Sequence, residues 1–115
     1  MVDVGFGSGL LRPLPLRPDV PVEQGLWTYR LTRPTADVWQ VQEHSAGQWV
    51  VQYTLTEEPQ HLSDVVMANH FTSTSPDSPF VAQPVVVRKD EHHRGRTEPG
   101  RGTRVWTPRG CGPNR

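Results

Sequence analysis

An acidic side chain near the start of the chain has apolar neighbours, which is typical of a carboxylate with a catalytic or structural role. Asp3 lies between Val2 and Val4 and is followed by the run Gly5-Phe6-Gly7. A carboxylate among apolar neighbours is costly unless it is paired or hydrogen-bonded, and orienting a catalytic histidine is one use of such a group. Capping the glycine-rich turn is the structural alternative. The residues themselves leave both roles for Asp3 open.

The glycines of this run do not predict a nucleotide-binding loop. A dinucleotide-binding pattern requires a glycine where Leu10 stands, and a P-loop requires a Gly-Lys-Ser/Thr step that the sequence lacks. The following residues, 10–21, are rich in proline and predict an extended coil. We therefore expect no helix N-terminus that could hold a phosphate here.

The histidines and the cysteine do not predict a metal site or a nucleophile. None of the five histidines shows the i, i+4 spacing that prepares a site on one helix face, and His92-His93 lie in a charged run. Cys111 is the only cysteine and has no neighbouring base, so we expect neither an internal disulfide nor a reactive thiol. We expect no bound metal.

Short strands must position Asp3. Residues 26–32, 38–44 and 48–56 alternate apolar and polar side chains with a period of two, and turn-forming residues separate them. This pattern is typical of half-buried strands and predicts a three-strand antiparallel meander. A short helix over 64–70 with Ser63 as its N-cap follows, and then one more strand over 81–87.

The end of the chain differs from the rest in charge and composition. Formal net charge is zero, but residues 1–87 carry four basic and nine acidic side chains, whereas 88–115 carry eight basic and three acidic ones. The latter segment is rich in Arg, Gly and Pro and lacks periodicity, so we expect disorder there. We therefore divide the chain into a domain over 1–87 and a basic tail over 88–115.

The composition also indicates where the protein is located and which classes of partner it binds. No apolar run approaches the length of a membrane helix, so we expect a soluble, cytoplasmic protein without a membrane partner. The basic tail lacks a recognisable nucleic-acid-binding module, and we expect no nucleic-acid partner. A small non-enzymatic β module whose tail binds an acidic partner remains an alternative. The oligomeric state stays open.

The run Val-Asp-Val-Gly-Phe-Gly at 2–7 resembles a motif of the arylamine N-acetyltransferases. Residues 13–16, 29–31, 48–55 and 69–80 are similar to further segments of that family, in the same order and at similar intervals. The resemblance covers roughly residues 1–88. Macrolactam amide synthases of the same superfamily are an alternative within this resemblance.

The resemblance implies a reaction and a set of site residues. In the family, a cysteine thiolate takes the acetyl group from acetyl-CoA and passes it to an arylamine or hydrazine, assisted by a histidine and an aspartate. Asp3 matches the triad aspartate. Gly5, Phe6 and Gly7 match the acyl-CoA site, and Phe6 and Phe80 match the acceptor pocket.

The resemblance also implies a fold and an incomplete site. We expect a mainly β, incomplete antiparallel β-barrel-like domain with a short helix and a disordered C-terminal tail, from a cysteine-proteinase-like α+β family. In the family the cysteine and histidine precede the aspartate motif, so we expect this chain to be a fragment that is inactive alone. Its arginine-rich, isoleucine-free composition further suggests a frameshift between Arg88 and Gly100.

Overall fold

Two antiparallel four-stranded sheets and two helices form the described part of the chain. The structure is a computed structural model that describes residues 1–3, 9–107 and 110–113, with backbone alone for 107 and 110–113. The first sheet contains β1 (Val22–Gln24), β2 (Trp27–Thr35), β3 (Val38–Ser45) and β4 (Gln48–Thr56). After α1 (Leu62–Thr74) and α2 (Pro79–Ala82), the second sheet contains β5 (Val86–Lys89), β6 (Arg94–Glu98), β7 (Gly102–Thr107) and β8 (Gly110–Pro113).

The first sheet confirms the predicted meander. β2, β3 and β4 pair in sequence order, and β1 adds a short edge strand beside β2. Ala46 and Gly47, both with positive φ, form the tight turn between β3 and β4. A two-residue turn of this hand matches the twist of the strands that it joins. The mainly β fold without a closed barrel is confirmed.

One face of the first sheet carries the core, and the start of the chain covers that face. Every second residue along β2 and β3 is buried there, as the period of two requires. We call residues 9–14 the strap. Leu14 of the strap is buried against the sheet, and Leu10 and Leu11 pack at the margin of the hydrophobic core. The hydrophobic core comprises Leu14, Trp27, Tyr29, Leu31, Trp39 and Val41.

The expected disorder of the tail is wrong for its described residues, because these form most of the second sheet. β5 to β8 pair in sequence order, and polar pairs such as Thr97–Thr103 and Arg96–Glu98 accompany the backbone hydrogen bonds. A sheet held by such contacts needs no apolar alternation, which is why the sequence pattern missed it. The boundary proposed between residues 87 and 88 falls within β5 and stays a prediction, as does the frameshift.

The helical segment also differs in detail from the sequence-based expectation. α1 is longer than the predicted 64–70, and His61 rather than Ser63 lies at its N-cap. Part of the predicted strand over 81–87 is α2 instead, because Pro79 fits the first turn of a helix and the Ser78 hydroxyl accepts from Phe80 N–H. Among the described elements, α1 and α2 contact each other and no strand. Neither of them could span a membrane.

The two sheets meet where the β1–β2 turn contacts the β5–β6 turn. Leu26 N–H donates to the Glu91 carbonyl at 2.7 Å, and Trp27 Nε1–H donates to the Asp90 carbonyl at 2.8 Å. Gly25 has a φ of +68° and lies directly against the Glu91 backbone, so that a Cβ there would overlap it. This junction therefore requires glycine for both its conformation and its lack of a side chain.

A comparison of two glycines tests this junction. We expect Gly25→Ala to lower the free energy of unfolding by about 2–5 kcal/mol, the sum of left-handed backbone strain and overpacking. Gly47→Ala is the control, because Gly47 has a φ of +77° but open space around it. It should show the strain alone, about 1–2 kcal/mol. Urea denaturation measures both, and equal losses would contradict the close contact with Glu91.

Candidate functional site

Asp3 lies at the edge of the covered face of the first sheet. Leu14 N–H donates to the Met1 carbonyl at 2.9 Å, and this bond ties the beginning of the chain to the strap. Asp3 is half-buried, and its carboxylate interacts with the Tyr53 hydroxyl of β4. Burial raises the pKa of Tyr53, and the hydrogen bond and negative charge of Asp3 raise it further. The predicted acid thus has a partner that sequence reasoning did not name.

A buried glutamine fixes the middle of the strap. Gln24 of β1 is fully buried, and its Oε1 accepts from Leu11 N–H at 2.7 Å and from Arg12 N–H at 3.0 Å. Its Nε2 donates to the Arg12 carbonyl at 2.9 Å. One side chain therefore replaces the hydrogen bonds that an irregular segment would lose by covering a core.

A cluster of ionisable side chains fixes the start of the strap at Gly9. Tyr29 hydroxyl donates to Glu43 Oε2 at 2.8 Å, and Arg94 Nη1 lies 3.3 Å from the same oxygen. Lys89 Nζ donates to the Gly9 carbonyl at 2.7 Å and to the Tyr29 hydroxyl, and lies 3.9 Å from Glu43 Oε2. We call Tyr29, Glu43, Lys89 and Arg94 the buried cluster.

Burial changes the ionisation of this cluster. It raises the pKa of Glu43, an effect that the adjacent Arg94 opposes. Burial and the positive charge of Arg94 lower the pKa of Lys89 to about 7. Both directions follow from removing a charged group from water, which favours its neutral form. Sequence reasoning missed the cluster, although Glu43 continues the inward series Trp39 and Val41, where an acid is out of place.

The other predicted site residues do not join Asp3 in the described part of the chain. Gly5, Phe6 and Gly7 lie outside the described residues. Phe80 is 71% exposed on α2, which contacts no strand of the first sheet, whereas Asp3 lies beside Tyr53 of that sheet. No group of His, Cys, Asp or Glu side chains within the described ranges could hold a metal ion.

Comparison with known proteins identifies the family. The family model described as N-acetyltransferase matches residues 1–97, so the chain belongs to this family. An arylamine N-acetyltransferase from Mycolicibacterium smegmatis is 39% identical over 83 residues, which are 70% of this chain and 30% of that protein. The resemblance to arylamine N-acetyltransferases is thereby confirmed, and the match continues beyond the tail boundary placed at residue 88.

Solved structures agree with this assignment. The arylamine N-acetyltransferase of Nocardia farcinica is 37% identical with a TM-score of 0.75, and the match covers 92% of this chain and 39% of that one. The enzyme from Mycobacterium abscessus is 32% identical with a TM-score of 0.79, with 96% and 42% covered. The chain therefore spans less than half the length of these relatives.

The role of Gln24 gives a stability prediction. Gln24→Leu should lower the free energy of unfolding by about 2–4 kcal/mol, because it leaves buried backbone groups of the strap without partners. Gln60→Leu is the control, since Gln60 is exposed and should change stability by less than about 0.5 kcal/mol. Urea denaturation of the two variants compares them. Equal losses would show that Gln24 does not hold the strap.

The contact between Asp3 and Tyr53 predicts a change in ionisation. Asp3→Asn removes the carboxylate charge, so the pKa of Tyr53 should fall toward the ordinary value near 10. The chain has two tyrosines, which makes a ¹³C NMR titration of the labelled rings straightforward to assign. Asp37→Asn, at an exposed position, should leave the titration unchanged. An unchanged midpoint in Asp3→Asn would contradict the contact.

Proposed function

We propose that this chain forms part of an acetyl-CoA-dependent arylamine N-acetyltransferase and contributes the aspartate of its catalytic triad, Asp3. The observation that supports this role is the placement of Asp3: it is half-buried, and its carboxylate lies beside Tyr53 of the first sheet. An acid that orients a histidine must itself be fixed, and Met1, two residues before Asp3, is hydrogen-bonded to Leu14 of the strap.

The chemistry assigned to Asp3 is orientation and charge stabilisation. A carboxylate oxygen accepts more than one hydrogen bond, so Asp3 can accept from Tyr53 and from an imidazole N–H together. Accepting the imidazole N–H selects the histidine tautomer that faces the cysteine and stabilises the imidazolium formed when the thiol ionises. The resulting thiolate attacks the acetyl-CoA thioester, CoA leaves, and the arylamine or hydrazine then takes the acetyl group.

The remaining sequence-based assignments belong to this proposal. Gly5, Phe6 and Gly7 would border the acyl-CoA, and Phe6 and Phe80 would contact the acceptor. The cytoplasmic location stays a prediction.

A chimera tests the proposal. The part of the M. smegmatis enzyme that corresponds to residues 1–97 of this chain is replaced by those residues, so that the host supplies the remaining residues of the triad. We expect acetyl-CoA-dependent acetylation of an arylamine by the chimera. Asp3→Asn in the chimera should lower kcat by about 10²–10⁴-fold, because the histidine loses its orienting charge.

Asp37→Asn in the same chimera is the matched control, since Asp37 is an exposed acid of the turn between β2 and β3. It should retain the rate of the parent chimera. Circular dichroism and thermal unfolding establish that the compared proteins are equally folded. A folded Asp3→Asn chimera with the parent's kcat would refute the role given to Asp3.

A further inference from the structure

A cavity opens on one face of the second sheet, beyond the buried cluster. Residues two apart along a strand share a face, so Arg96 and Glu98 of β6 lie on the face from which Arg94 reaches the first sheet. The cavity has a volume of about 250 Å³ and is lined by Arg96, Glu98, Arg101, Gly102, Arg104 and Trp106. We call it the arginine cavity, and the charge of its lining indicates what it binds.

The backbone pairing places two of these arginines directly opposite each other. Arg96 of β6 and Arg104 of β7 are register partners in an antiparallel pair, and both residues are exposed. Like charges at directly opposed positions repel each other and destabilise a sheet. These two arginines therefore do not serve the stability of the sheet, and an anion that accepts hydrogen bonds from both guanidinium groups would offset their repulsion.

A single carboxylate in the lining orients two arginines without neutralising the site. Glu98 Oε1 lies 2.5 Å from Arg96 Nη2, and Glu98 Oε2 lies 3.7 Å from Arg101 Nη1. Among the residues that the structure describes, none offers Arg104 a carboxylate within 4.0 Å. Three positive charges against one negative charge leave the lining with an excess of two positive charges.

We propose that the arginine cavity binds the phosphate group of a small molecule. A phosphate dianion matches the excess charge of the lining, and the planar fork of arginine donates two parallel hydrogen bonds to phosphate oxygens. The basic side chains of the lining are all arginines, which suits this directional recognition. The small volume of the cavity fits one such group together with part of the molecule that carries it.

Trp106 adds an apolar wall to the site. It is half-buried, lines the cavity beside the arginines and has the Arg94 guanidinium carbon 5.9 Å from the centre of its ring. An aromatic wall suits the phosphate ester of an aromatic molecule, whereas free phosphate makes no use of it. The phosphate group is common to both ligands. This inference does not depend on the proposed function, because the acyl-transfer site includes none of these residues.

Calorimetric titration of the chain with inorganic phosphate and with phenyl phosphate tests the site. Potassium chloride keeps the ionic strength constant, so that general screening does not contribute to the signal. We expect saturable binding of phosphate with a Kd of about 1 mM or tighter. Tighter binding of phenyl phosphate would indicate an aromatic ester as the ligand, and equal binding would indicate the phosphate group alone. The absence of saturable binding for both probes would overturn the proposal.

Arg104→Gln is the decisive variant. It should weaken phosphate binding by about tenfold or more, because a charge-assisted hydrogen bond to the ligand is lost. It should also leave the phosphate-free chain at least as resistant to urea as the parent, because the repulsion from Arg96 is removed. An arginine with a purely structural role would instead lower this resistance and leave binding unchanged.

Arg88→Gln is the matched control, since Arg88 is an exposed arginine of β5 on the opposite face of the same sheet. It should bind phosphate as the parent does. Thermal unfolding gives a second readout: saturating phosphate should raise the Tm of the parent and of Arg88→Gln more than that of Arg104→Gln. Should Arg104→Gln not fold, Arg101→Gln replaces it with the same expected loss of binding. Equal affinities of the folded variants and the parent would overturn the proposal.

Discussion

The buried carboxylate of Glu43 is the group on which the described arrangement depends. It lies between the two sheets, accepts from Tyr29 at 2.8 Å and faces Arg94 at 3.3 Å and Lys89 at 3.9 Å. Two of these partners come from the second sheet, whose strands carry few buried apolar side chains. Removing one partner from a buried ion pair typically costs about 3–5 kcal/mol, because a charge is left uncompensated. The buried cluster therefore holds the second sheet against the first, and it also holds the strap.

The candidate site depends on how the backbone of an irregular segment finds hydrogen-bond partners over a hydrophobic face. The strap is irregular, yet it covers a hydrophobic face, so its backbone groups need partners other than a strand. Side chains supply them: Gln24 binds residues 11 and 12, and Lys89 binds Gly9. Each of these side chains is buried where water could not replace it. The same contacts therefore satisfy the backbone of the strap and keep the core covered.

The sequence was most informative where side chains alternate. β2, β3 and β4 followed from the period of two, and their turns followed from residues such as Gly47. The second sheet could not be predicted this way, because β6 is polar on both faces and its place in the sheet depends on backbone pairing. The resemblance singled out Asp3, but Tyr53 became its neighbour only through folding. Two features of the sequence could have indicated the buried cluster. Glu43 is an acid at an inward-facing position of β3, and Lys89 is the single lysine of the chain.

The central claim is that the buried cluster around Glu43 holds the strap, because Lys89 of that cluster binds the Gly9 carbonyl at the start of the strap. The most direct measurement is the scalar coupling across this hydrogen bond, between ¹⁵Nζ of Lys89 and the carbonyl ¹³C of Gly9 in the labelled chain. Because the chain has one lysine, its side-chain signal is unambiguous. We expect a resolved coupling and an amino group whose protons exchange slowly with water. The absence of this coupling, together with the fast exchange of a solvated lysine, would contradict the account.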